Sequence, residues 1–172
     1  MARWRRVRGR TLDRGAAAVE FALVLLPLLL LVMGILDYGR FFFDSVSLRQ
    51  GAREAARQAV VQTYGGLAAD GVTLCKDLTT VGDRIACTAK AASDITIGTP
   101  EVYIPTQAIN WAQGSQLLVC MQSKEQGIGF VPLPANGIIR TKTYMSIEMG
   151  TLVGDPSYTD PAPVGGDWTW CS

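Results

Sequence analysis

A long apolar run near the N-terminus constrains this chain more than any other feature. Residues 16–36 (AAAVEFALVLLPLLLLVMGIL) contain one charged side chain, Glu20. As a helix rising ~1.5 Å per residue they reach roughly 31 Å, the thickness of a hydrocarbon core. A core helix of a small globular domain is rarely apolar all round for that length. The run therefore reads as a membrane span, and it continues without a break into DYGRFFFDSVSLRQGAREAAR, ending at Arg57.

The charges around the run set its expected orientation. Residues 1–15 carry six arginines (Arg3, Arg5, Arg6, Arg8, Arg10 and Arg14) against Asp13, while the remainder of the chain is net acidic. Positive segments stay on the cytoplasmic side, so the residues after the span are expected to be exported. A basic arm is also a nucleic-acid signal, but a topology signal suffices to explain these arginines, and no nucleic-acid partner is expected. A removed secretory signal has a shorter apolar region, about 7–15 residues, ending at small residues. Here the run ends at Asp37-Tyr38-Gly39-Arg40-Phe41-Phe42-Phe43, aromatics suited to a membrane–water interface. Retention in the membrane is the expected outcome.

Two residues inside the span break its uniformity. Pro27 removes the backbone bond to residue 23, which membrane helices tolerate as a kink. Glu20 costs about 2.5–3.5 kcal/mol at mid-span on insertion scales and less near an edge. It can snorkel to the cytoplasmic face. Alternatively, cleavage after Gly15 would make Ala16 the first residue and Glu20 the fifth, and a new α-amine could pair with that carboxylate within one chain or between neighbours.

The residues Gly15-Ala16-Ala17-Ala18-Val19-Glu20-Phe21 resemble the processing site of type IV pilin-like proteins. The fuller order is similar to the TadE-like proteins of tight-adherence (Flp-type) pilus systems: a basic leader, R-G-x-x-x-V-E-F-A, an apolar run with a proline, then Asp37-Tyr38-Gly39-Arg40 and Ala52-Arg53-Glu54-Ala55-Ala56-Arg57. The likeness spans roughly residues 12–60. It implies a minor pilin or pseudopilin, cut between Gly15 and Ala16 by a prepilin peptidase, with Glu20 and Phe21 at the subunit contact. The implied partners are the membrane, other pilin-like subunits and the assembly machinery. The implied location is the bacterial inner membrane, with possible incorporation into an extracellular pilus. Two other readings remain open: an uncleaved bitopic anchor or scaffold, and an anchored envelope domain that binds a ligand.

Beyond the membrane exit the chain reads as a continuing helix to residue 62. Asp37, Arg40 and Asp44 stand at pairing distances along its surface. Leu48, Ala52, Ala55 and Ala59 recur at helical spacing as a thin apolar stripe. Arg49, Arg53 and Arg57 form a basic stripe that either grips an acidic partner or lipid headgroups or is a solvated face partly balanced by Glu54. Gly65-Gly66 is the expected stop.

Residues 63–172 are then expected to form an exported α+β domain of pilin-like outline. A second helix is predicted over residues 78–92, capped by Thr79 or Thr80. Strands are predicted at 94–97, 102–104, 116–121 and 137–149. In the last, Ile139, Thr141, Thr143, Met145, Ile147 and Met149 share one face, the mark of a sheet buried on one side. Residues 126–136 read as a loop in which Phe130, Val131 and Leu133 are either a contact surface or packing beneath the sheet. The Pro- and Gly-rich tail from residue 154 should be mostly irregular, with Trp168 and Trp170 covering the sheet or docking a partner.

Cys75, Cys87, Cys120 and Cys171 all lie beyond the span, where an even number reads as two disulfides. Three pairings are possible, and short loops favour Cys75–Cys87 with Cys120–Cys171. The chain has no histidine and no C-x-x-C pair, so neither a metal site nor a cofactor is expected. With no recognisable nucleophile and base, no catalytic residues are assigned and an enzyme is not expected.

Overall fold

The computed structural model describes residues 12–96, 98–105, 113–127, 132–148, 154, 156–161 and 166–172. The arginines at positions 3–10, Ile97, Phe130, Val131 and Met149 lie outside the described residues. The architecture is α+β. One helix, α1 (Leu12–Val60), runs through the apolar stretch and on as the spine of a domain. A short helix, α2 (Val81–Ala92), and a four-stranded sheet complete it.

Sequence and packing agree along the second half of α1. Leu48, Ala52, Ala55, Ala56 and Ala59 are fully buried. Their small side chains let α2 lie close, and Gly51 sits directly against Ala89 and Ser93. The helix ends before Gly65-Gly66: Gln62 takes a left-handed conformation (φ 57°), and the amide of Thr63 reaches back to the carbonyl of Gln58 at 3.0 Å. This six-to-one bond satisfies a carbonyl that the last turn would orphan. Thr80 caps α2, its hydroxyl accepting the amide of Asp83 at 3.0 Å.

The strands are β1 (Glu101–Ile104), β2 (Gln116–Lys124), β3 (Ile138–Ser146) and β4 (Tyr158–Thr159), all antiparallel in the order β3-β2-β1-β4. In the register Val102↔Met121↔Thr141, one face carries Val102, Ile104, Leu117, Val119, Met121 and Ile139. These pack with α1 and α2 into one core. Burying such side chains stabilises by about 1.5–3 kcal/mol each. The predicted alternation of the last strand holds: Arg140, Lys142, Tyr144 and Ser146 are exposed, while Ile139 is buried and Thr141, Thr143 and Met145 are half-buried.

Three expectations change. Residues 94–96 form no strand, because their polar groups bond to side chains of α1 instead of to a ladder. Ser47 Oγ accepts the amide of Asp94 at 2.9 Å and donates to its carbonyl at 2.8 Å, and Asp44 Oδ1 accepts the amide of Thr96 at 3.0 Å. Asp44 is therefore enclosed, not paired with Arg40 on the surface. The tail also contributes a strand, β4, which the sequence does not announce.

Over β1 and β2 the outer face of the sheet is covered as well. Cys171 is disulfide-bonded to Cys120 on β2, drawing the end of the chain across it. The Trp168 ring stacks on Tyr103 with centroids 5.2 Å apart, and the Arg140 guanidinium lies over Trp170 at 5.5 Å. Beneath this cover Gln122 is fully buried, donating to Glu101 Oε2 and to the carbonyl of Gly166 at 2.9 Å each.

Candidate assembly interface

Among the described residues nothing packs over the apolar first half of α1. Its most apolar 18-residue window has a mean hydropathy of 2.7 and none of it is buried. Val19, Phe21, Leu23, Val24 and Leu26 are each more than 60 % exposed. A water-exposed helix of this kind would forfeit most of the transfer energy of its leucines. By length and composition it can cross a membrane. Pro27 lies inside it, and the helix continues on both sides.

Gly15, Ala16, Glu20 and Phe21 are all exposed on this helix. Four residues separate Ala16 from Glu20, a rise of about 6 Å, or one turn. A Cβ placed on Gly15 would meet nothing within 4 Å, so packing inside the chain does not demand a glycine there. The arrangement offers one carboxylate near the end of an apolar cylinder, to be satisfied by an amine, by water or by a neighbouring helix.

Further along, the domain covers one side of α1 and leaves the other bare. Phe42, Phe43 and Val46 are at least half exposed. Beyond them Arg49 and Arg53 are exposed, whereas Arg57 is engaged with Glu54 through bonds of 2.9 and 2.6 Å. Glu54 also accepts from Gln58 at 2.6 Å, and these contacts, Arg57 first, hold its carboxyl down at about 2. The pair is too exposed to add much stability.

The two disulfides, Cys75–Cys87 and Cys120–Cys171, serve the domain that rides on this helix. The first ties the segment before α2 to α2 itself. The second fixes the tail. In the 126–136 loop, Leu133 is half-buried beside Asp37, Phe41 and Gly127, and the Tyr38 hydroxyl donates to the carbonyl of Pro132 at 3.1 Å. The described part of this loop thus packs onto α1 just past the apolar run.

Three residues organise the domain in ways not read from sequence, where Asp44 reads as a surface residue and Glu125 and Asp160 have no assigned role. Asp44 and Glu125 are one buried pair. Asp160 is the third: it receives the Lys90 ammonium at 2.7 Å, the Val102 amide at 2.7 Å and the Tyr158 hydroxyl at 3.0 Å. For Asp44 a signal existed. Counting back one turn from the stripe Leu48, Ala52, Ala55 and Ala59 lands on residue 44, and three turns on Asp37, which is also buried.

Residues 15–57 match the family model described as TadE-like protein. The match begins at Gly15 and ends at Arg57, about a quarter of the chain. Comparison with curated proteins and with solved structures found no match.

Proposed function

We propose that this chain, TadE-like over residues 15–57 and on that ground a pilus-associated protein, is a minor pilin or pseudopilin that takes part in assembling or priming a tight-adherence pilus. One observation carries the reading: a single helix whose apolar run is nowhere buried and bears one acid, and whose second half is the spine of a folded domain. Such a chain can be stored in a bilayer and transferred to a bundle of like helices with no change in its domain. In this reading a prepilin peptidase cuts between Gly15 and Ala16, and Glu20 places each subunit by pairing with the new amine of Ala16 in its own chain or a neighbour's. The α+β domain lies on the exported side of the inner membrane and supplies the lateral contacts.

The test is substitution of Glu20 in the native host. Glu20→Ala removes the charge and Glu20→Asp keeps it one methylene back. Loss of surface pili with the alanine, at unchanged membrane levels of the protein, supports the assembly role. Normal pili with Glu20→Ala would leave a plain membrane anchor, which needs no acid at that position.

A further inference from the structure

Where the sheet meets α1, two carboxyl groups are buried against each other. Asp44 on α1 is fully enclosed, and Glu125, the residue after β2, is 6 % exposed. After burial, Asp44 is the main influence on Glu125, so the two carboxyl groups lie within reach of one another. Two ionised carboxylates in reach of each other offer no donor and repel, so the pair is best satisfied with one proton between them. Asp44 has the richer set of donors. Its Oδ1 accepts both the amide and the hydroxyl of Thr96, at 3.0 and 2.9 Å, and its Oδ2 also lies 2.9 Å from that hydroxyl. Glu125 has only the Ser123 hydroxyl, at 3.3 Å.

The pair ties together separate parts of the chain. Through Thr96 it holds the irregular segment after α2. Through the backbone of Glu125, whose amide donates to the carbonyl of Gly137 at 2.8 Å, it holds the end of β2 and the start of β3. Gly98, with φ 109°, lies so close that a Cβ there would sit 3.3 Å from Glu125 Oε1. The other charged groups nearby are few. Asp37 and Arg40 line the same crevice from α1, Arg40 being exposed, and Lys124 on β2 and Asp94 are exposed too. Gln126, Gly127 and Leu133 face it without charge. The ion pairs Glu54–Arg57 and Lys90–Asp160 lie elsewhere in the domain.

We propose that Asp44 and Glu125 form a one-proton latch, which fastens the end of the α+β domain nearest the apolar helix onto α1, closed in acid and weakened toward neutrality. Burial first, then the bond to Asp44 and its charge, raise the Glu125 carboxyl from 4.5 to about 7. A carboxyl raised in the folded state contributes its full stability below its ordinary range and loses it as pH climbs through the raised value. The latch therefore weakens between about pH 4.5 and 7 and changes no further above that. The inference rests on the domain's own geometry and is independent of pilus function.

The experiment is amide hydrogen exchange of the full-length protein in detergent micelles from pH 5 to 8, corrected for intrinsic rates. Protection of the amides of Thr96 and residues 125–127 should fall by on the order of tenfold per pH unit up to neutrality. Glu125→Gln keeps a donor to Asp44 but cannot ionise, so its protection should be flat over that range. A flat profile in the unsubstituted protein, or the same slope in both, would overturn the latch. If Glu125→Gln does not fold, Asp44→Asn serves instead. Without the neighbouring charge the midpoint should move to lower pH, and an unmoved midpoint also overturns the proposal.

Discussion

Gly51 and Ala89 hold the two helices closer than any side chain allows: a Cβ on Gly51 would lie 2.7 Å from the carbonyl oxygen of Ala89 and 2.8 Å from Cβ of Ser93. The obstacle is largely backbone, which cannot turn aside. Gly51→Ala gains about 0.5–1 kcal/mol of helix propensity but forces α2 outward at a cost of about 1–3 kcal/mol. We expect a net loss of stability of roughly 1–2 kcal/mol, read as a lower thermal midpoint in micelles, whereas Gly39→Ala, at a position with open space around it, should gain.

Asp160 should be the costliest single truncation in the tail. Asp160→Ala leaves the Val102 amide and the Lys90 ammonium without their acceptor, a loss of about 2–4 kcal/mol for a part-buried charged network. A double-mutant cycle with Lys90→Met isolates the ion pair. If the Asp160 effect is unchanged in the Lys90→Met background, the bonds from the Val102 amide and the Tyr158 hydroxyl account for it.

The two disulfides should differ in weight. They close loops of 51 and 12 residues, worth about 4 and about 3 kcal/mol in the chain-entropy model. Replacing Cys120 and Cys171 by alanine should also free Trp168 from Tyr103. Near-ultraviolet circular dichroism should then lose its tryptophan signal, while replacing Cys75 and Cys87 leaves that signal intact.

Much of the fold was legible because it follows from periodicity. The apolar run, the alanine stripe on α1, the cap at Thr80 and the alternation in β3 each bury a face that the sequence repeats in register. The unread parts depend on partners far away in the chain. Residues 94–96 alternate like a strand, yet their amides are taken by Ser47 and Asp44, about 50 positions upstream. Charged Asp44 looks like surface until Thr96 and Glu125 are seen to enclose it. β4 has only two residues, paired to β1 and held there by Asp160, and a Pro- and Gly-rich tail gives no hint of that. The candidate assembly residues Gly15, Ala16, Glu20 and Phe21 rest on motif order, all four being exposed among the described residues.

The hairpin before α2 should respond to acid in the opposite sense from Glu125. Asp70 Oδ2 accepts the Thr73 hydroxyl at 2.6 Å and Oδ1 the amides of Val72 and Thr73 at 3.0 Å each, with the hydroxyl the largest influence, so its carboxyl is held at about 2 against 3.8. A depressed carboxyl contributes order that is present above its ordinary value and lost as pH falls through the lowered one. Because Asp70 is exposed, the effect is local. Protection of the Val72 and Thr73 amides should fall below about pH 3.8, and Asp70→Ala should remove both the protection and its pH dependence.

The most direct test of the assembly role is the N-terminal sequence of the protein purified from its native membrane with the cognate peptidase present. A start at Ala16, which makes Glu20 the fifth residue beside a free amine, is the predicted result. An intact start at Met1 would contradict the processed-subunit account and leave a bitopic anchor whose domain acts from the membrane.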